Sequence, residues 1–184
     1  MPTFSAGQRL TAAELNADFP LISSTVLTGT TANMPLFVSS GFNRVQVFWR
    51  ARGTAAVGAE QLWLQMNGDS GSHYLWQKTE TENSTATSAS SGGLTTQIQI
   101  ATMMGANATA NYYSSGNFTV DGISDGTGFS TTVGISAAFN TVSDSWSGRF
   151  SGQYNVSAII TSLLLFPNSG SFSAGSVFSV YGMS

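Results

Sequence analysis

His73 is the one histidine of this 184-residue chain and the side chain best suited to move a proton near neutral pH. A serine nucleophile would need it as base, with a carboxylate to orient it; Asp69 lies four residues upstream, and Ser70 and Ser72 flank it. No Gly-x-Ser-x-Gly elbow accompanies them, and the surrounding residues read as a turn leading into a strand. The nine carboxylates are the next resource, because two suffice for glycoside hydrolysis. Glu80 and Glu82 stand two apart in a polar stretch and read as a solvated face. Asp121-Gly122-Ile123-Ser124-Asp125-Gly126 offers two carboxylates to a cation but lacks the alternating oxygen ligands and closing Glu of an EF-hand loop. Asp-Gly is a turn dipeptide in its own right. The absence of cysteine excludes thiolate nucleophiles, disulfides and cysteine-held zinc. These residues predict no catalytic group, no metal site and no cofactor.

Aromatic side chains offer binding rather than reaction. Trp49, Trp63, Tyr74, Trp76, Tyr112, Tyr113, Trp146 and Tyr154 are enough for a sugar-stacking platform. Trp76, Tyr112 and Tyr113 are the candidate glycan contacts, the two tyrosines because they stand in the polar stretch Ala106–Gly116. Trp63 falls on the face of its strand opposite Leu62, Leu64 and Met66, and an outward tryptophan marks a subunit contact.

The elements that carry these residues are set by composition and periodicity. A mass of 19.2 kDa suits one domain. Only 8% of residues are charged, against about 25% in an ordinary soluble domain, and Ser and Thr fill 49 positions instead. Such a surface repels neighbours poorly and suits a protein packed against copies of itself. Six scattered Lys and Arg build no basic stripe, so no nucleic-acid partner is expected. No apolar run reaches the roughly 18 residues of a membrane helix, and the first 20 residues lack a secretory pattern.

From about Thr25 onward the apolar period is two. Strands are predicted at Arg44–Arg50, Glu60–Met66, His73–Lys78, Thr95–Thr102, Asn117–Ile123, Thr131–Phe139, Ser145–Asn155, Ala158–Phe166 and Ser176–Tyr181, with glycines including Gly116 and Gly148 as punctuation. Thr79–Gly93 reads as a loop. Leu163, Leu164 and Leu165 make one strand apolar on both faces, which puts Leu163 and Leu165 among the candidate subunit contacts. Before Thr25 the pattern differs: Thr11 and Glu14 form a capping box opening one or two helical turns over Ala12–Ala17, ended by Pro20. The reading is an all-β antiparallel sandwich over residues 25–184, preceded by an arm over 1–24 that docks through Phe4, Leu10, Leu15 and Phe19.

Three stretches resemble small jelly-roll virion proteins of tailed bacteriophages. The opening Ala6-Gly7-Gln8-Arg9-Leu10-Thr11-Ala12-Ala13-Glu14-Leu15-Asn16 is similar to the Ala-Gly-Gln-x-Leu-Thr-Ala-x-x-Leu-Asn segment of phage tail and structural proteins. Asn67-Gly68-Asp69 resembles the hairpin of their jelly rolls. Ile160–Phe166, then Gly170, Phe172-Ser173-Ala174-Gly175 and Tyr181-Gly182, resembles their closing strand pair, with Val180 where the family usually has Leu. The resemblance implies a jelly-roll fold, a trimer or larger ring, other capsid or tail proteins as partners, and a place in the virion after assembly in the bacterial cytoplasm. The function expected is non-enzymatic: a minor tail or capsid decoration protein. A carbohydrate-binding adhesin of the tail, recognising a host-surface glycan, is the alternative, and a glycan hydrolase or lyase using Asp121, Asp125 or Asp144 the third reading.

Overall fold

The computed structural model describes residues 19–38, 41–140 and 144–183, and these residues form twelve strands and no helix. In chain order they are β1 (Leu21–Val26), β2 (Met34–Phe37), β3 (Arg44–Ala51), β4 (Ala59–Met66), β5 (Tyr74–Glu82), β6 (Thr85–Ser90), β7 (Ile98–Met104), β8 (Ser114–Asp121), β9 (Ser130–Phe139), β10 (Ser145–Tyr154), β11 (Ser162–Pro167) and β12 (Val177–Met183). Every pairing is antiparallel. A large sheet runs β1-β12-β3-β8-β9-β10-β5-β6, and a small sheet β2-β11-β4-β7 packs against part of it. The expected helical turns and the arm residues Phe4, Leu10 and Leu15 lie outside the described residues. Phe19 is described and exposed, and β1 runs across the arm boundary expected at residue 24.

Alternation builds the core. In β3, Val45, Val47, Trp49 and Ala51 are buried while Arg44, Phe48 and Arg50 are exposed. Leu62, Leu64 and Met66 of β4 are fully buried and meet β11 and β7. Phe118 stacks edge-on to Phe150, and Phe172 to Phe178. Gly116 and Gly148 sit inside β8 and β10 rather than at turns, a correction with a steric cause at Gly116: a Cβ there would lie 2.7 Å from the Trp49 ring.

Asn67 and Gly68 both take positive φ (55° and 66°), and the Asp69 N–H donates to Met66 O at 3.0 Å. That is the turn the sequence predicts, but not a hairpin: β4 and β5 belong to different sheets. Asn67 is tied instead to the far end of the chain, its Nδ2 donating to Ile159 O and its Oδ1 accepting from the Thr161 N–H, both at 2.8 Å. The expected closing hairpin is corrected in the same way. β11 and β12 belong to different sheets, and the chain crosses between them through Gly170 and Gly175, both at positive φ.

Thr79–Gly93 is also not a loop. β5 continues to Glu82, turns at Asn83 (φ 53°) and returns as β6. The inner face of this extension carries Lys78 and Glu80, buried against β7, where Lys78 Nζ donates to Glu80 Oε2 at 2.9 Å and Thr102 Oγ1 donates to the same oxygen at 2.8 Å. Glu80 therefore does not belong to a solvated face.

Candidate functional site

The Asp69–His73 pair forms as its spacing suggests. The turn at Asn67-Gly68 and the start of β5 bring His73 Nδ1 within 2.7 Å of Asp69 Oδ2. The same oxygen accepts from the Tyr154 hydroxyl at 2.8 Å, and Oδ1 accepts from the Gly71 N–H at 2.7 Å. Tyr74 stacks on Tyr154 with ring centroids 5.0 Å apart and donates to Asp69 O. Burial alone would raise the Asp69 pKa, but the bonds from Gly71, Tyr154 and His73 outweigh it and hold the carboxyl below the usual value. Burial, together with the neighbouring Asp69, pushes the Tyr154 hydroxyl up to about 12, which keeps it a donor at neutral pH. Among the described residues neither Ser70 nor Ser72 bonds to His73, so the pair has an orienting carboxylate but no nucleophile aimed at it. Its geometry ties the β4–β5 crossover to the end of β10.

The carboxylates weighed for glycoside chemistry do not converge. Asp121 pairs with Arg44 across β8 and β3. Asp125 closes its own turn, its Oδ1 accepting from Thr127 N–H at 2.9 Å. Asp144 precedes β10 at the opposite end of β9, where its backbone carbonyl accepts from the Asn140 N–H. No cluster of three metal-ligating side chains occurs among the described residues.

The aromatic candidates are placed as follows. Trp76 lies on the inner face of β5, edge-on to Trp63 of the small sheet at 6.1 Å. Trp63 is half-buried and donates its Nε1–H to Asn168 Oδ1 at 3.1 Å, so its own chain supplies both a packing and a hydrogen-bond partner. Tyr113 lies under Arg50, with the guanidinium carbon 3.9 Å from its ring centre, and donates to Ala174 O. Tyr112 adjoins it in a loop gathered by Arg52. The Arg52 Nη1 donates to Thr109 O (2.7 Å) and Tyr112 O (3.3 Å), and its Nη2 to Ala106 O (3.0 Å) and Ala108 O (2.7 Å). Trp76 pairs with Gly152, near the far end of β10, whereas Tyr113 precedes Ser114 at the start of β8, so the three candidate glycan contacts do not share one platform. Leu163 and Leu165 are fully buried because β11 is a middle strand of the small sheet, and the core claims them both; the side chain turned the other way is Leu164.

What sequence reasoning missed is a surface. Register places Val26, Val177, Phe48, Tyr181, Val133, Ile135 and Phe139 on the outer face of the large sheet, among Ser24, Ser179, Asn117, Thr119, Ser151 and Gln77. Val133 and Ile135 are 55% and 58% exposed. They form a ridge on β9 between two shallow hollows of about 450 and 510 Å³, one bordered by Phe48 and Val177, the other by Gln77 and Arg149. The outward positions of β9, read as Thr131, Val133, Ile135, Ala137 and Phe139, were the available signal: an apolar alternate set on a strand whose other face is buried. Comparison of the chain with models of protein families, with curated proteins and with solved structures returns no match.

Proposed function

We propose that this protein is a non-enzymatic structural component of a tailed-bacteriophage virion, a minor tail or capsid decoration protein that self-associates through its sandwich and docks through the arm. The outer face of the large sheet, exposed among the described residues, carries this reading: apolar and hydroxyl side chains spread over paired strands, with Arg50, Arg149 and the paired Arg44 and Asp121 as its charges. The fold proposed is a jelly roll. If the hairpins β5–β6 and β9–β10 are set aside, eight strands remain, four to a sheet, paired as the nest β1·β12, β2·β11, β3·β8 and β4·β7. That is a long antiparallel ribbon rolled onto itself, the arrangement that gives a double-sheet jelly roll. The virion setting, the trimer and the capsid or tail partners rest on the resemblance of the opening, Asn-Gly-Asp and closing segments.

Light scattering and particle reconstitution test it. The full chain is expected to be a trimer or larger at micromolar concentration, and deletion of residues 1–20 to leave a folded oligomer that no longer joins particles. A stable monomer, or normal incorporation of the truncated chain, overturns the proposal.

A further inference from the structure

We infer that β6 is an assembly edge that pairs antiparallel with β6 of a second copy, on a two-fold axis through Ser88, so that the large sheets of two molecules become one. β6 ends the eight-strand order, and all six of its residues, Thr85-Ala86-Thr87-Ser88-Ala89-Ser90, are exposed. Its hydrogen-bond phase is fixed. Glu82 and Thr85 face each other across a two-residue turn, and the Ser91 N–H donates to Trp76 O at 3.0 Å, so Thr85, Thr87, Ala89 and Ser91 bond toward β5. Ala86, Ser88 and Ser90 therefore direct their N–H and C=O groups outward, away from any other strand of the sheet.

Natural sheets blunt such an edge with charge, proline, a bulge or a covering loop. β6 has no charged residue or proline, and its register with β5 runs without a shift. The sequence also suits itself as occupant. With Ser88 opposite Ser88 of the second copy, Ala86 faces Ser90 and Ser90 faces Ala86. All three outward positions then meet outward positions, and six main-chain hydrogen bonds can form. Between them Thr87 faces Ala89. Every cross-strand pair is small and uncharged, so no side chain opposes close approach, and the contact is isologous as a two-fold axis requires. A foreign strand would need no such self-matching. The inference rests on the self-assembly reading above for its occupant, but on β6 alone for its geometry.

The chain's lack of cysteine makes the test direct. Ser88→Cys is expected to give a disulfide-linked dimer under mild oxidation, because the Cα atoms of a hydrogen-bonded cross-strand pair lie about 5.5 Å apart, within disulfide range. Ser90→Cys, which faces Ala86 rather than itself, is expected to stay uncrosslinked. Ser88→Pro removes an outward N–H and leaves the bonds to β5, so the protein should fold while its mass by light scattering halves. Ser88→Lys, which sets two like charges on the axis, should halve it too. Equal crosslinking at residues 88 and 90, or unchanged mass in folded Ser88→Pro and Ser88→Lys, overturns the edge. Ile135→Lys separates the two ideas: loss of association there with Ser88→Pro unaffected keeps the outer face and sinks the edge, and the reverse keeps the edge and sinks the face.

Discussion

Asp69 accepts from a backbone N–H and a buried hydroxyl on one side of a turn while touching His73 on the other. Its depressed pKa means that this stabilisation is complete above the unfolded carboxyl value near 3.9 and is lost as pH falls through the lower folded value. Asp69→Asn should lower stability at pH 7 by about 1.5–3 kcal/mol, the range of hydrogen bonds to a charged group, and flatten the melting profile below pH 4. Glu60 behaves in the opposite sense. It is buried, with Oε1 unpartnered and Oε2 only 3.4 Å from the Ser169 N–H and hydroxyl, and burial raises its pKa. Stability contributed by its neutral form is present below the ordinary carboxyl value and lost as pH rises through the raised one. Thermal melts from pH 4 to 8 should therefore show a decline in the wild type that Glu60→Gln lacks. The Asp69–His73 contact is legible in a spacing of four across a turn. The burial of Glu60 and Glu80 is not, because each is enclosed by a segment distant in sequence, Ser169 for one and Thr102 for the other.

Strands are the most readable elements, since β3, β4, β9 and β10 each alternate along one buried face. β6 escapes such a reading because Thr-Ala-Thr-Ser-Ala-Ser buries neither face, and β2 because four residues with Pro35 among them make too short a pattern. The loop 105–113 shows a different kind of order. It has little apolar content, and one guanidinium gathers four of its carbonyls. Arg52→Ala should make this loop the first site of limited proteolysis. Arg52→Lys should not restore protection, because an ammonium presents three donors at one point where a planar fork spans the set. Retained protection in either variant would mean that the loop is held by its neighbours instead.

At the scale of the whole molecule, local signals place turns correctly and still misassign what they join. Asn67-Gly68 and Gly175 turn as their residues dictate, yet each sends the chain to the opposite sheet, because strand partners are chosen by segments far along the sequence. The same limit hid the outer face: its apolar members come from β1, β3, β9 and β12 and become neighbours only once the sheet is assembled. Val133→Lys with Ile135→Lys should leave the melting temperature nearly unchanged, since both side chains already face water, while lowering the mass of the associated species in light scattering.

The nested pairing also orders events in time. Closing a loop becomes harder as it lengthens, so among the nested pairs β4·β7 and then β3·β8 are the natural first contacts and β1·β12 the last. During synthesis β1 to β4 leave the ribosome before any of their nested mates exists. Val45, Val47, Trp49, Leu62 and Leu64 must then wait uncovered until β7 and β8 follow. A nascent chain of this build spends its early life as a sticky half-ribbon, and a chaperone that shelters apolar segments should raise the yield of native protein.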